Sequence, residues 1–582
     1  MISEASTFED LATFGAEAVV IGGGPVGLAT ALELSARGRR VLVLESGGRR
    51  PQAAAQALSA AENLRPDNHD PPDMAVARRL GGTSNLWGGR CLPLDPIDFQ
   101  SRPWLGDLPA WPIGPEDLAP WLEAACRTLD TGDPVFAEAL PGVAADPAFG
   151  FESLERWSNH HRVQRLHEKT LARRRDLLVA LGATTLGFTY DDAGRIAAVE
   201  VHLEGRGRGR IAAPVVVLAA GGNESTRLLL AEQRRHPALF GGEGGPLGRF
   251  YMGHVVGRIA DVVFEDAALH DGLDFHVDGY GTYVRRRLVP SPETQAAARL
   301  SNVAFWPVVP PLPDPAHRSG PLSAAFLVLS IAPLGRRLVA ETIRRQVVGD
   351  PPFRRGQHLA NVVRDPLRTA GVMPRYLWNS RLAATRLPGF FVRNRARRYG
   401  LEYHAEQLPR SASRLTLTEA TDRLGLPRLR IDLRYCDDDA AAVIRAHDAL
   451  EAWLARNRLA RITYRMPRAA RAEAILALTR HGTHQIGTIR MGTDRRTAVV
   501  DGDCRSFDVP NLYVASTAVL PTSGQANPTL TAVQLGLRLA DRLARASGPG
   551  ARRPPGIGWG GPTGVARVAC SRVGKQSSHW FC

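Results

Sequence analysis

Apolar positions along the chain form two kinds of pattern. Short, nearly unbroken runs rich in β-branched residues are "AVVIG" at 18–22, "RVLVLE" at 40–45 and "VVVLAAG" at 215–221. Such runs predict strands buried on both faces, as in a parallel sheet. Between the first two, "LATALELSARG" at 28–38 keeps helical spacing and stops at Gly38. Residues 17–46 therefore predict a strand, a helix and a second strand. Residues 194–232 predict alternating strands in a hairpin, then a buried strand, then a helix. Further on, "LSAAFLVLSIAP" at 322–333 is too short to span a bilayer and predicts a buried strand. Residues 413–435 predict strands with turn signals, and 437–457 a capped amphipathic helix. Pro528 opens a last helix, where its fixed φ is suited. Residues 548–582 are rich in Gly and Pro without periodicity and predict a disordered tail, with no function assigned.

At 582 residues the chain is too long for one ordinary core, so two domains are expected. Hydrophobic content of 44% and charged content of 23% exclude a largely disordered chain. The net charge is +15, and almost all the cations are Arg. The surplus concentrates in 336–398, which reads as a solvated helix face, or as a surface for an acidic or electron-accepting partner. No nucleic-acid module is present. The six cysteines are scattered and none forms Cys-x-x-Cys, so neither a disulfide framework nor a metal site is expected. The first twenty residues lack a basic segment followed by an apolar one, so a cytoplasmic location is expected.

The first turn carries chemistry. Gly22, Gly24 and Gly27 have G-x-G-x-x-G spacing between a strand and a helix. The first permits a tight turn, the second lets a pyrophosphate approach the backbone, and the third lets helix and strand pack closely. The helix N-terminus offers free N–H groups to phosphates. Glu45, ending the next strand, can accept from ribose hydroxyls. This predicts dinucleotide binding without separating FAD from NAD. A second Gly-rich loop, "RRLGGTSNLWGG" at 78–89, favours a flavin, whose flat ring needs close backbone approach.

Taken in order, the first βαβ unit, "LGGTSNLWGG", "VVVLAAGGNESTRLLL", "GRFYMGH" (248–254), "HQIGTIRMG" and the segment 511–543 resemble the glucose–methanol–choline (GMC) oxidoreductase family. The ending "PTSGQANPTLT" is most similar to the pyranose oxidase and fructose and gluconate dehydrogenase branch. The resemblance implies an α/β fold: a Rossmann-like, discontinuous FAD-binding domain with a second α+β substrate domain on a sheet roofing the flavin. The expected FAD-binding parts are 1–100, 181–260 and 481–547, and the substrate-binding parts are 101–180 and 261–480. The implied activity is oxidation of an alcohol to a carbonyl on a sugar, glycoside or polyol.

Within that resemblance His484 is the base and Asn527 orients the hydroxyl. FAD contacts are expected from Gly22, Gly24, Gly27, Glu45, Gly81, Gly82, Ser84, Asn85, Ala220, Ser516, Pro528 and Thr529. The helix after Pro528 would turn its positive end to the flavin. His481 is expected to be exposed or behind the site, and His254 structural. Where some relatives carry a flavin-tethering His in the loop, this chain has Leu86, so FAD is expected to be non-covalent. "ASTA" replaces the Asp-Ala-Ser of many relatives. Rival readings are a dehydrogenase passing electrons to a quinone or protein, a non-redox lyase, and a flavin-bound protein without turnover.

Overall fold

A computed structural model describes residues 1–546, apart from 5, 144–145, 339–347, 349–350, 382–386 and 388–390. The expected tail at 548–582 and part of the Arg-rich stretch lie outside the described residues.

The predicted apolar runs form the centre of a six-stranded parallel sheet. Its order is Ile2–Ser3, Leu177–Leu181, Val41–Glu45, Ala18–Ile21, Val216–Leu218 and Leu512–Val514. Both faces are covered, which explains why these strands are apolar without alternation. On one face Val20, Val43 and Val217 meet the helices Pro25–Ala36 and Thr529–Ala546. On the other, Val19, Leu42 and Val216 meet an antiparallel meander of Ala183–Tyr190, Ile196–Leu203 and Gly207–Ala212. The chain thus returns to this sheet from three distant stretches.

The middle of the chain builds a four-stranded antiparallel sheet in the order Val303–Val308, Arg398–Glu406, His254–Phe264, Ala460–Tyr464. The capped helix predicted at 437–457 is present as Asp437–Arg456, with three Asp in its first turn, and packs on this sheet. The strands expected within 413–435 form the hairpin Arg414–Thr421 and Pro427–Asp432. In the register of the central pair, Val256 faces His404 and His254 faces Glu406. His254 and His404 are thus two positions apart diagonally, so they project from the same face of the sheet.

One expectation fails. The apolar run at 322–333 is not a buried strand; Gly320–Ser330 is a helix. Ser319 caps it by accepting from the Leu322 N–H, and Pro321 sits in its first turn. Leu and Ala dominate the run, and these serve a helix well, whereas strand-favouring β-branched residues are few. It packs against the helices Arg355–Arg364 and Pro366–Arg381. Among the described residues no helix is long and apolar enough to cross a membrane.

Candidate active site

Four histidines from three parts of the chain converge at one end of the antiparallel sheet. His254 and His404 come from its two central strands. His481 and His484 come from a segment whose His481 N–H bonds to the Asn68 carbonyl (3.0 Å) and whose Ile486 bridges Met252. Gly482 permits this threading, since a Cβ there would lie 2.3 Å from the His69 ring. The His254 and His404 rings stack at 4.2 Å, and the His481 and His484 rings meet edge-on at 4.4 Å. The ligating nitrogens of all four lie within 4.8 Å of one another.

The hydrogen bonds of His484 are directional. Its Nδ1 lies 2.9 Å from Nδ1 of His254. Its Nε2 lies 3.3 Å from the Asn527 amide nitrogen. An amide nitrogen can only donate, so Nε2 accepts and carries no proton. In a neutral ring the proton is then on Nδ1, donated to His254. Asn527 Oδ1 is buried without a hydrogen-bond partner, and His254 is fully buried. His404 Nδ1 lies 2.6 Å from the Gln525 carbonyl, two residues before Asn527.

The cluster is held neutral. Burial drives the basicity of His254, His404 and His484 well below that of a free imidazole. For His484, the neighbouring His481 and His254 and the charge of Arg90 add to this. Burial takes His481 down to about 4. A neutral His484 can accept a proton at Nε2 near neutral pH.

A cleft of about 1370 Å³, including its open mouth, runs from Glu45 to His484. Gly22, Gly24, Gly82, Ala220, Ser516, Pro528 and Thr529 line it. Residues 17–287 match the family model described as FAD dependent oxidoreductase, and residues 409–536 match GMC oxidoreductase. The likeness to GMC oxidoreductases is thus carried by the C-terminal part of the chain, and that to FAD dependent oxidoreductases by the N-terminal part.

The chain is 47% identical over 62 residues to a C-glycoside 3-oxidase of Arthrobacter globiformis, covering 10% of this chain and 12% of that one. It is 33% identical over 151 residues to the fructose dehydrogenase large subunit of Gluconobacter japonicus, covering 25% of each. Against the 2-methyl-1,2-propanediol dehydrogenase of Mycolicibacterium austroafricanum the figures are 30% over 148 residues and 24% of each. The matches thus span a quarter or less of these curated relatives. A solved structure of pyridoxine 4-oxidase from Mesorbium loti superposes with a TM-score of 0.52 at 16% identity, over 91% of this chain and 99% of that one. At that identity the likeness shows the fold alone.

The FAD dependent oxidoreductase match gives FAD as the cofactor, and the residues fit it. Gly22 has φ +107°, and a Cβ there would lie 2.6 Å from the Ala219 carbonyl oxygen. A Cβ on Gly27 would come within 2.0 Å of the Gly22 oxygen, so this glycine sets helix against strand. Gly24 differs: its Cβ direction is open except for Gly82 Cα at 3.9 Å, which leaves room for phosphate oxygens. Gly24 also caps the helix Pro25–Ala36 with no side-chain acceptor, leaving its first N–H groups free for an anion. Glu45 accepts from the Gly23 and Gly47 N–H groups at 2.9 and 2.8 Å, which fixes it at the far end of the cleft.

Other residues named from the sequence build the walls rather than line the cleft. Ser84 Oγ donates to the Gly81 carbonyl, and Asn85 Nδ2 donates to the Leu80 and Gly82 carbonyls, which folds the second Gly-rich loop. Gly81 has φ +88° and packs on Gln164. Leu86 is half-exposed. His254 and His481 both meet the His484 ring, which places His481 behind it rather than in solvent. His404 and Arg90 carried no sequence signal, because the sheet register alone brings them here. Arg78 and Thr184 also line the cleft, again without a motif.

Proposed function

We propose that this oxidoreductase oxidises an alcohol group of a sugar, glycoside or polyol to a carbonyl, using non-covalently bound FAD. One observation carries the reading: His484 lies with Nε2 3.3 Å from the Asn527 amide and Nδ1 2.9 Å from His254, an arrangement that suits a proton on Nδ1 and a free Nε2. A substrate hydroxyl entering between them donates to His484 Nε2 and accepts from the Asn527 amide, which fixes the carbon that reacts. His484 takes the hydroxyl proton as the carbonyl forms. The flavin, when bound, supplies the acceptor for the hydride leaving the same carbon. Pro528 precedes the helix Thr529–Ala546, whose free N-terminal N–H groups border the cleft and favour developing negative charge there. We assign the FAD contacts to Gly22, Gly24, Gly27, Glu45, Gly82, Ala220, Ser516 and Thr529, with the loop residues Gly81, Ser84 and Asn85 supporting them. Residues 1–100, 181–260 and 481–547 form the flavin-binding unit in this reading, and 101–180 and 261–480 the substrate-binding one.

The histidine cluster handles a proton in this reading, and holds no metal. Two nitrogens on one tetrahedral zinc, each at 2.0–2.1 Å, stand about 3.3 Å apart. The 2.9 Å contact of His254 and His484 is a hydrogen-bond length. Dialysis against a chelator is therefore expected to leave flavin reduction unchanged.

The test is anaerobic. The purified yellow protein is mixed with sugars, glycosides, polyols and simple alcohols, and the visible flavin absorbance is followed. Bleaching by a sugar or polyol supports the reading, and admitting air then separates an oxidase from a dehydrogenase. His484→Ala is expected to keep FAD and lose bleaching. Wild-type bleaching in that variant would remove His484 as the base.

A further inference from the structure

The helix Gly320–Ser330 opens a helical unit between the strands Val303–Val308 and Arg398–Glu406. Strand pairing sets Val308 opposite Gly400. His404 lies farther along that strand, about 13 Å from Gly400 at about 3.3 Å per residue. The unit therefore leaves the sheet at the end away from the histidines.

Two helices of this unit, Arg355–Arg364 and Pro366–Arg381, pack on Gly320–Ser330 and show their far sides to solvent. The first is polar inward and apolar outward. Its His358 and Asn361 are buried. The His358 ring stacks on Phe326 at 4.2 Å, and Asn361 Nδ2 donates to the Pro315 carbonyl at 2.9 Å and to Ser323 Oγ at 3.1 Å. With these groups holding the inner face, Leu359 and Val363, one turn apart, are 55% and 76% exposed. In the second helix Leu367 is 89% and Trp378 60% exposed. Leu367, Gly371, Pro374 and Trp378 keep helical spacing, so they share one face, and all four are exposed. A helix on a water-facing surface ordinarily turns its apolar stripe to the core. Single exposed apolar side chains are normal, but a grouped set marks a contact surface.

The charge around this face is one-sided. Residues 351–398 hold eleven Arg, no Lys and one acid, Asp365. Asp365 lies 3.9 Å from Arg395. Arg354, Arg355 and Arg364, at the two ends of the first helix, are exposed and form no ion pair among the described residues.

These charges select the occupant. A second copy of the chain, meeting the same face, would set like charge against like. An uncharged apolar partner would leave the arginines without counter-charge. An anionic lipid surface meets both needs: its phosphates pair with arginines, and its headgroup boundary accepts Leu, Val and Trp. The helices have 10 and 16 residues, too short to cross a bilayer, which fits lying along one.

We infer that these two helices dock the enzyme on an anionic lipid bilayer. Leu359, Val363, Leu367 and Trp378 enter the headgroup layer, and Arg354, Arg355 and Arg364 meet lipid phosphates. None of these side chains lines the cofactor cleft, so docking and the proposed alcohol oxidation stand or fall separately.

The test sediments the full-length FAD-loaded enzyme with vesicles of phosphatidylcholine alone, or of phosphatidylcholine and phosphatidylglycerol in equal parts. Binding is expected to the mixed vesicles and not to the neutral ones. Val363→Gln combined with Leu367→Gln is expected to weaken binding at least about tenfold. Arg355→Gln combined with Arg364→Gln is expected to weaken it about fivefold for each charge removed. Arg173→Gln combined with Arg206→Gln removes the same charge from exposed positions elsewhere and is expected to leave binding near wild type. Flavin spectra and thermal melts check that every variant is folded. Insertion has its own readout: lipids with brominated acyl chains are expected to quench part of the tryptophan fluorescence, and Trp378→Phe to remove that part.

No binding to mixed vesicles would overturn the docking face. So would an equal loss in the Arg173 and Arg206 control, which would show attraction by net charge alone, or quenching unchanged in Trp378→Phe. A lipid-free dimer dispersed by Leu367→Gln would assign the face to a second copy instead. Binding to polyglutamate without binding to mixed vesicles would assign the arginines to an acidic protein. Either result would overturn the lipid site.

Discussion

Replacing His254 by leucine isolates the role of one hydrogen bond. His254 is fully buried and touches His484 through a 2.9 Å contact between the two Nδ1 atoms. Two facing imidazole nitrogens need one proton between them. Asn527 donating to Nε2 of His484 requires that proton to sit on His484 Nδ1, with His254 accepting. Leucine fills similar space but accepts nothing, so His484 keeps a buried N–H without a partner. Such a group costs about 1–3 kcal/mol. The ring avoids this by moving its proton to Nε2, and the base is then lost. At 1.36 kcal/mol per decade, the expected fall in the rate of flavin reduction is roughly 10- to 100-fold. Stopped-flow reduction under anaerobic conditions measures it, with the flavin spectrum and melting temperature checking that the fold and cofactor persist. Asparagine at 254 can set a carbonyl oxygen near the position of Nδ1 and is expected to restore most of the rate. A leucine variant as fast as wild type, or an asparagine variant as slow as leucine, would refute the argument.

Three further outcomes are expected. His484 is held well below the ordinary imidazole value by burial, then by His481, His254 and Arg90, so kcat/KM should fall only as the pH drops below 6.5 and through that depressed value. Arg90→Met should move this limb to higher pH, and a wild-type limb centred at or above 6.5 would contradict the assignment. His447 is fully buried, hydrogen-bonded to the Val443 carbonyl at 2.8 Å, and driven by burial to about 4. Its folded value lies below the unfolded one, so stability is full above pH 6.5 and lost as the pH falls toward 4, by about 3 kcal/mol in all. His447→Phe should flatten that acid decline in thermal melts, and an unchanged decline would show that other groups drive it. Gly27→Ala would set a methyl 2.0 Å from the Gly22 oxygen. It should lower stability by about 1–3 kcal/mol and reduce flavin content, and full FAD loading with an unshifted melt would disprove the packing role of this glycine.

The sequence alone determined the features that local physics decides. Strand, glycine turn and helix lie within thirty residues at the start of the chain, so spacing and residue type suffice to read them. Gly22 takes the positive φ of a tight turn and Gly27 meets the Gly22 oxygen, both within the span of that one turn. The capped helix Asp437–Arg456 was legible for the same reason. The apolar run at 322–333 was not, because a mostly apolar stretch has no clear period and its partners include helices that begin only at Arg355 and Pro366. His484 and Asn527 were found through the order of motifs, not through their chemistry. Tertiary structure decided what surrounds them. His254 and His404 meet because an antiparallel register sets them diagonally on one face. Arg90 and Arg285 share Glu155 because three short strands lie side by side. Hydrogen-bond direction and charge balance depend on distances between residues hundreds apart in the chain, and those distances exist only once the sheets have formed.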